Sequence, residues 1–209
     1  MKVLFVKFAC LVALTMGLTT AAKAAPVLWT LNNVTFDDGG TATGSFIFDA
    51  DAGTACSTSS SPCGMFYDVN IMTTGGSALS GATYSVVCGT NNPSCTGVVP
   101  DSTEAMFLTS TAADQTGNTA IAFFFTPAGP VPPAGLTDAG GVVDISDSMG
   151  TGAVQEAVCG DPGCADPTSP SRASLTGTLS GVVVPEPAEL GLVGLGLLAL
   201  MLFRRRVAA

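Results

Sequence analysis

Six cysteines fall in three close pairs, Cys56 with Cys63, Cys88 with Cys95 and Cys159 with Cys164, and a seventh, Cys10, stands alone near the amino terminus. Close thiol pairs either bind a metal or oxidise to disulfides. A thiolate zinc site wants Cys-x-x-Cys pairs or histidine partners, and this sequence holds neither. No metal or cofactor is expected. The spacing favours three local disulfides, each closing a short polar loop such as Ser57-Thr-Ser-Ser-Ser-Pro62 or Gly160-Asp-Pro-Gly163. Loops of that size stabilise by roughly 2 to 3 kcal/mol each through lost entropy of the open chain.

The remaining reactive groups are carboxylates. Histidine is absent and lysine stops at Lys23, so a serine or cysteine nucleophile in the body has no side-chain base to activate it. Glycoside cleavage needs two carboxyl groups at a set separation, and Asp37, Asp38, Asp49, Asp51, Asp144 and Glu156 are the candidates. Aspartates beside Gly or Asp more commonly build turns, and the body is expected to be no enzyme. Asp49-Ala-Asp-Ala-Gly53 echoes a calcium loop but lacks its third acidic position and its bidentate Glu. Trp29, Tyr67 and Tyr84 could stack on a sugar if exposed, although such side chains more often pack in a core.

The elements that must position these groups read as strands. Residues 26–36 alternate apolar and polar with β-branched and aromatic enrichment, Asp37-Asp-Gly-Gly40 reads as a turn, and 41–49 as the returning strand. Further strands are expected at 66–74, 82–88, 104–110, 119–126 and 173–184, with the Phe123-Phe-Phe125 run in the core. The stretch 127–170 is broken by Pro130, Pro132, Pro133, Gly140 and Gly141 and reads as a long loop with a short strand at 141–145. Short strands between turn signals predict an all-β fold, an antiparallel β-sandwich-like ectodomain, with helix confined to the two ends.

Those ends differ from the body in charge. Lys2, Lys7 and Lys23 lie at one end and Arg204, Arg205 and Arg206 at the other, with Arg172 between them, while every Asp and Glu follows residue 24. A body so poor in cations is no partner for nucleic acid, since phosphate contacts need Lys and Arg. Its acidity reads as solubility, with divalent-cation binding as the sharper alternative. The first 24 residues form a lysine-bearing start, an apolar run 8–18 and a small-residue Ala22-Lys-Ala24 end. That pattern is a signal peptide, cut by signal peptidase between Ala24 and Ala25. Cys10 sits inside the apolar run and leaves with it.

The other end, from Val184, reads Pro185-Glu186-Pro187, then an apolar stretch from Leu190 to Phe203, then Arg204 to Arg206. Proline on both sides keeps Glu186 extended and accessible. As a helix the apolar stretch would cover about two-thirds of a ~30 Å hydrocarbon core, a marginal anchor in the inner membrane. The arginines would stop it with the carboxy terminus cytoplasmic.

Motif, helix and arginines in this order resemble the PEP-CTERM sorting signal of Gram-negative bacteria. The resemblance implies processing by an exosortase, a membrane-embedded transpeptidase-like cysteine protease, at Pro185, Glu186 and Pro187, with release or transfer to the cell surface. It also implies a link to exopolysaccharide and biofilm formation, and often glycosylation. Glu189 departs from the small or apolar residues usual at the start of such a tail. The opening Trp29 to Asp49 is similar to a recurrent ectodomain type in that family, from which no catalytic residue carries over. The expected organisation is a leader (1–24), an all-β ectodomain (25–184) and a sorting tail (185–209). The expected role is structural, in an extracellular polysaccharide layer, with Ser57 to Ser61 as glycan attachment points. A carbohydrate-binding module is the alternative, and a carboxylate glycosidase the more distant one.

Overall fold

The computed structural model describes residues 25–52, 65–89, 92, 94–96, 100, 102–125, 135–146 and 154–185. The helices expected at the two ends and the Cys56 and Cys63 pair lie outside these residues. Among the described residues no helix is long and apolar enough to cross a membrane.

Ten strands make up the fold: β1 (Val27–Phe36), β2 (Thr41–Phe48), β3 (Phe66–Thr73), β4 (Thr83–Tyr84), β5 (Val86–Val87), β6 (Glu104–Leu108), β7 (Thr119–Phe124), β8 (Gly141–Asp144), β9 (Val154–Cys159) and β10 (Pro167–Val183). They pair antiparallel in the order β4-β3-β2-β1-β10-β9-β7-β6-β5, and β8 joins β10 opposite β1. Two strands turn this path into a nearly closed, flattened barrel. The first half of β10 pairs with β9 and its second half with β1, so one strand serves both sheets. At the far end, exposed Ser85 alone separates β4, which pairs with β3, from β5, which pairs with β6. The all-β antiparallel expectation therefore holds, and closure leaves fewer open edges than a simple sandwich would.

Alternation decides which face goes in. Along β1, Val27, Trp29 and Leu31 are buried while Leu28 is exposed, the period of a half-buried strand. Phenylalanines from both sheets interlock between them: the Phe46 ring lies 5.6 Å from Phe66, 5.4 Å from Phe107 and 6.1 Å from Phe123. Close aromatic packing of this kind adds to the area each ring buries. Phe123 and Phe125 are buried as expected, but Phe124 between them is half-buried, since alternation along the strand turns it to the other face. Trp29 fits because its partner strand carries Gly181, where a Cβ would come within 2.9 Å of the indole.

Strand β6 is buried on both faces, which is why Ala105-Met-Phe-Leu108 reads as an unbroken apolar run. Ala105 and Phe107 face the main core, while Met106 and Leu108 face a second cluster with Val86, Ala120 and four cysteines. Two of the three expected disulfides are present, Cys88 to Cys95 and Cys159 to Cys164. Their loops fold over the outer face of the β5-β6-β7-β9 sheet and touch through a bond from Thr96 N–H to the Gly163 carbonyl, 2.8 Å. The opposite sheet, β1-β2-β3-β10, instead shows hydroxyls and amides, such as Thr35 beside Thr176 at 2.7 Å and Asn32 bonded to Ser180 at 3.0 Å.

The stretch expected to be a long loop is corrected by β9 and by the first half of β10. Neither follows the apolar pattern: β9 places Glu156 in its middle, and β10 contains Arg172 and two prolines. The β9 to β10 register shifts between Thr168 and Ser171, an irregularity that accommodates Pro170 inside the strand.

Gly44 shows how tightly β2 lies on β3. Its φ is +123°, and an added Cβ would sit 2.0 Å from the Asn70 carbonyl oxygen and 2.8 Å from the Ile71 Cα. Gly39, at φ +87°, has open space around the same position. Gly39→Ala is expected to cost about 1 kcal/mol from backbone strain alone, and Gly44→Ala at least ~2 kcal/mol more. Urea denaturation of the two variants checks this, and equal midpoints would contradict it.

Candidate functional site

The carboxylates singled out in the sequence divide into one buried pair and several turn residues. Asp38, in the β1-β2 turn, and Glu156, in β9, are held by the same guanidinium. Arg172 Nη1 lies 3.2 Å from Asp38 Oδ2, and Arg172 Nη2 lies 2.7 Å from Glu156 Oε2. Arg172 and Glu156 are directly opposed across β10 and β9. The Arg172 and Glu156 side chains are fully buried and that of Asp38 is 4% exposed. The guanidinium also stacks over Phe36 at 4.4 Å from the ring centroid, a placement that planar arginine suits better than lysine.

Every carboxylate oxygen in this cluster is occupied. Glu156 Oε1 accepts from Tyr84 Oη at 2.5 Å and Thr73 Oγ1 at 3.2 Å, and Oε2 accepts from Arg172 Nε at 2.9 Å and Nη2. Asp38 Oδ1 accepts from Gly40 N–H at 2.9 Å, and Oδ2 from Ala78 and Leu79 N–H at 3.2 and 3.4 Å. Burial pushes the Asp38 carboxyl up, but those N–H groups and the guanidinium outweigh it and hold the group below its ordinary value of 3.8. Burial, and then the Glu156 charge and its hydrogen bond, drive the Tyr84 phenol far above its usual range. Two carboxylates locked to one cation and shut from water form a structural ion cluster, since a substrate oxygen could reach them only by displacing Arg172.

The other candidates do not converge. Asp37 accepts from Ala173 N–H at 3.2 Å and so braces the turn against β10. Asp49 accepts from Asp51 N–H at 3.0 Å and starts a single 3-10 turn (Ala50–Ala52), so the calcium-like stretch is built as a local turn. Asp138 accepts from Ala50 N–H at 2.9 Å beside it. Asp144 accepts from Ser146 N–H at 2.8 Å, and hydrogen bonding by Ser146 keeps its carboxyl low. Among the described residues no group of three or more His, Cys, Asp or Glu is placed to hold a metal ion.

Trp29 and Tyr84 are buried, which corrects the option of either gripping a sugar, while Tyr67 is 37% exposed. Sequence reasoning missed Arg172 as the hub. Its signal was there to be used: a lone cation in an acidic body must either be solvated or pair internally, and a neighbouring apolar-patterned strand favours the second.

The sorting end is positioned by β1 and β10. Val183 still pairs with Val27, and Val184 donates its N–H to the Pro26 carbonyl at 2.7 Å. Ala25 and exposed Pro185 therefore leave the same end of the barrel. Ala24, Glu186, Pro187 and Arg204 to Arg206 lie outside the described residues.

Breaking the cluster should be costly because an unpaired buried charge is left behind. Arg172→Met is expected to destabilise by about 3 to 5 kcal/mol, and adding Glu156→Leu to it should recover part of that loss. Denaturant midpoints of the two single variants and the double test this, and strict additivity would sink it. Asp38 also gives a pH signature. Its folded value is depressed, so its contribution is complete above the ordinary 3.8 and is lost as pH falls from there through the folded value. Stability followed between pH 5 and pH 2 should fall more gently in Asp38→Asn than in the parent.

Residues 183–206 match the PEP-CTERM protein-sorting motif, so the match begins on the last residue of β10. No curated protein and no solved structure matches the chain. With this segment joined directly to the last strand of the barrel, the chain carries a PEP-CTERM protein-sorting motif, a signal that implies processing by an exosortase and sorting to the cell surface or the extracellular space.

Proposed function

We propose that the ectodomain is a non-enzymatic structural component of the extracellular polysaccharide layer. The observation that carries this is the fate of its carboxylates. The two that share a neighbourhood, Asp38 and Glu156, are both held internally by Arg172, and the turn aspartates serve the backbone. What remains at the surface is acidic and rich in hydroxyls, on a framework stapled by buried disulfides. Such a body resists unfolding outside the cell and stays hydrated among glycans. The Ser57 to Ser61 loop would carry glycans in this role.

A carbohydrate-binding module is the second reading, and Tyr67 favours it as the candidate aromatic that reaches the surface. One half-exposed tyrosine is a small platform, so weak retention on polysaccharide is expected at most.

Protein purified from its host should run from Ala25 to the Pro185-Glu186-Pro187 motif by intact mass, gain the mass of three opened disulfides on reduction, and carry glycan. It should also wash through a column of the host's own polysaccharide. An unmodified chain extending through Ala209 would remove support for surface delivery, and firm retention on the column would favour the binding module.

A further inference from the structure

The hydroxyl-rich outer face of the β1-β2-β3-β10 sheet changes character at one end. In the register of the sheet, Tyr67 of β3 opposes Ile47 of β2, Ile47 opposes Leu28 of β1, and Leu28 opposes Val182 of β10. All four lie on the solvent side: Leu28 and Tyr67 are each 37% exposed, Val182 is 68% exposed and Ile47 is half-buried. One rung inward the same strands present Asn70, Ser45, Thr30 and Ser180, with Val142 of β8 at the edge. The apolar surface thus gathers at this end of the sheet, the terminal rung with Val142, 74% exposed, beside it, in contrast to the polar Asn70, Ser45, Thr30 and Ser180 between.

This is also the rung from which the chain leaves the barrel at both ends. Val184 is bonded to Pro26, so Ala25 and Pro185 emerge next to the row. Leu190, where the apolar part of the sorting tail begins, lies five residues along the chain from Pro185. Fully extended, five residues span at most about 17 Å. With the tail in the bilayer, this end of the barrel cannot stand farther than that from the apolar segment, and before signal cleavage a second tether leaves from the same place.

We propose that the Tyr67, Ile47, Leu28 and Val182 row is a membrane-facing rim that rests on the zwitterionic lipid interface while the sorting tail is inserted. The proposal rests on the export and sorting reading. The chemistry fits that partner: a tyrosine sits well at the level of lipid headgroups, and aliphatic neighbours bury area in the acyl boundary. Asp49 and Asp68, next in sequence to the row, disfavour anionic lipid. Contact there would hold Pro185 and the motif after it at one height and one orientation to the bilayer, where a membrane-embedded processing enzyme must meet them. Release by cutting would free the rim into water.

Hydroxyl-radical footprinting of the full chain, reconstituted in phosphatidylcholine nanodiscs at one copy per disc, tests this. The reference is the same chain in nanodiscs after a long Gly-Ser spacer is inserted between Pro187 and Ala188, and Met72 and Leu175, each 53% exposed and off the row, are internal controls. Labelling of Leu28, Tyr67 and Val182 should be severalfold lower in the parent than in the spacer variant, whereas labelling of Met72 and Leu175 should be the same in both. Phosphatidylglycerol in the discs should weaken the protection. Row labelling equal in parent and spacer variant would overturn the proposal, as would protection that appears only with two copies per disc, which would mean a second copy covers the row. Labelling of Met201, inside the apolar segment, separates the two readings: a shielded Met201 with an unprotected row overturns the rim alone, whereas a Met201 labelled as freely as Met72 means a tail that does not insert and overturns the sorting geometry with it.

Discussion

The buried guanidinium of Arg172 is the constraint on which the barrel depends. It sits where β10 ends its pairing with β9 and turns to pair with β1. Its partners come from separate parts of the chain: Glu156 from β9, Asp38 from the β1-β2 turn, and through Glu156 also Tyr84 of β4 and Thr73 of β3. A hydrophobic contact at this corner would be non-directional and would tolerate a slip of register. A cation held by two carboxylates through directed bonds fixes which residue of β10 stands at the crossing. The cost is desolvation of three charges, which good geometry and full occupancy of the oxygens must offset.

The two sheets have different means of protecting their outer faces. The β5-β6-β7-β9 sheet is short-stranded and apolar on both sides, and it is covered by two loops that disulfides hold closed. Reduction would loosen those loops and expose Met106 and Leu108 to water. The β1-β2-β3-β10 sheet needs no cover because its long strands carry Thr, Ser and Asn outward, cross-bonded in pairs. The cysteine chemistry thus belongs to one half of the barrel, and the other half is secured by strand length and the Phe46-centred aromatic packing.

How much of this was legible in the sequence follows from which residues break the two-residue period. β1, β2, β3 and β7 show it directly, and β6 shows the unbroken apolar run of a strand buried on both faces. The cysteine pairs and the Pro-Glu-Pro, apolar and arginine order are local signals and need no tertiary knowledge. β9 and the start of β10 escaped because Glu156, Arg172 and Pro170 read as loop residues until their partners are known. The same blindness hid the fate of the carboxylates. Nothing local distinguishes Asp38, locked beneath the β1-β2 turn, from Asp37 beside it, whose residue is exposed. Burial of Asp38 is decided by Arg172, more than a hundred residues away in sequence.

Placing the one cation of the body inside has a consequence for its outside. All other Lys and Arg lie in residues 1–24 or in 204–206, so between those ends the carboxylates have no other cationic side chain to attract them to one another or to a neighbouring copy. Uniform negative charge keeps such bodies apart at low ionic strength and leaves divalent cations as the natural bridge between them and acidic glycans. On the sorting reading proposed above, the precursor would reverse this, because Lys2, Lys7, Lys23 and Arg204 to Arg206 would bring positive charge to where the chain meets the membrane. On that reading charge, like the apolar rung beside Pro26 and Val184, would be partitioned between a membrane-bound precursor and a released body. Because the first strand pairs with the last, both partitions would end at the same place.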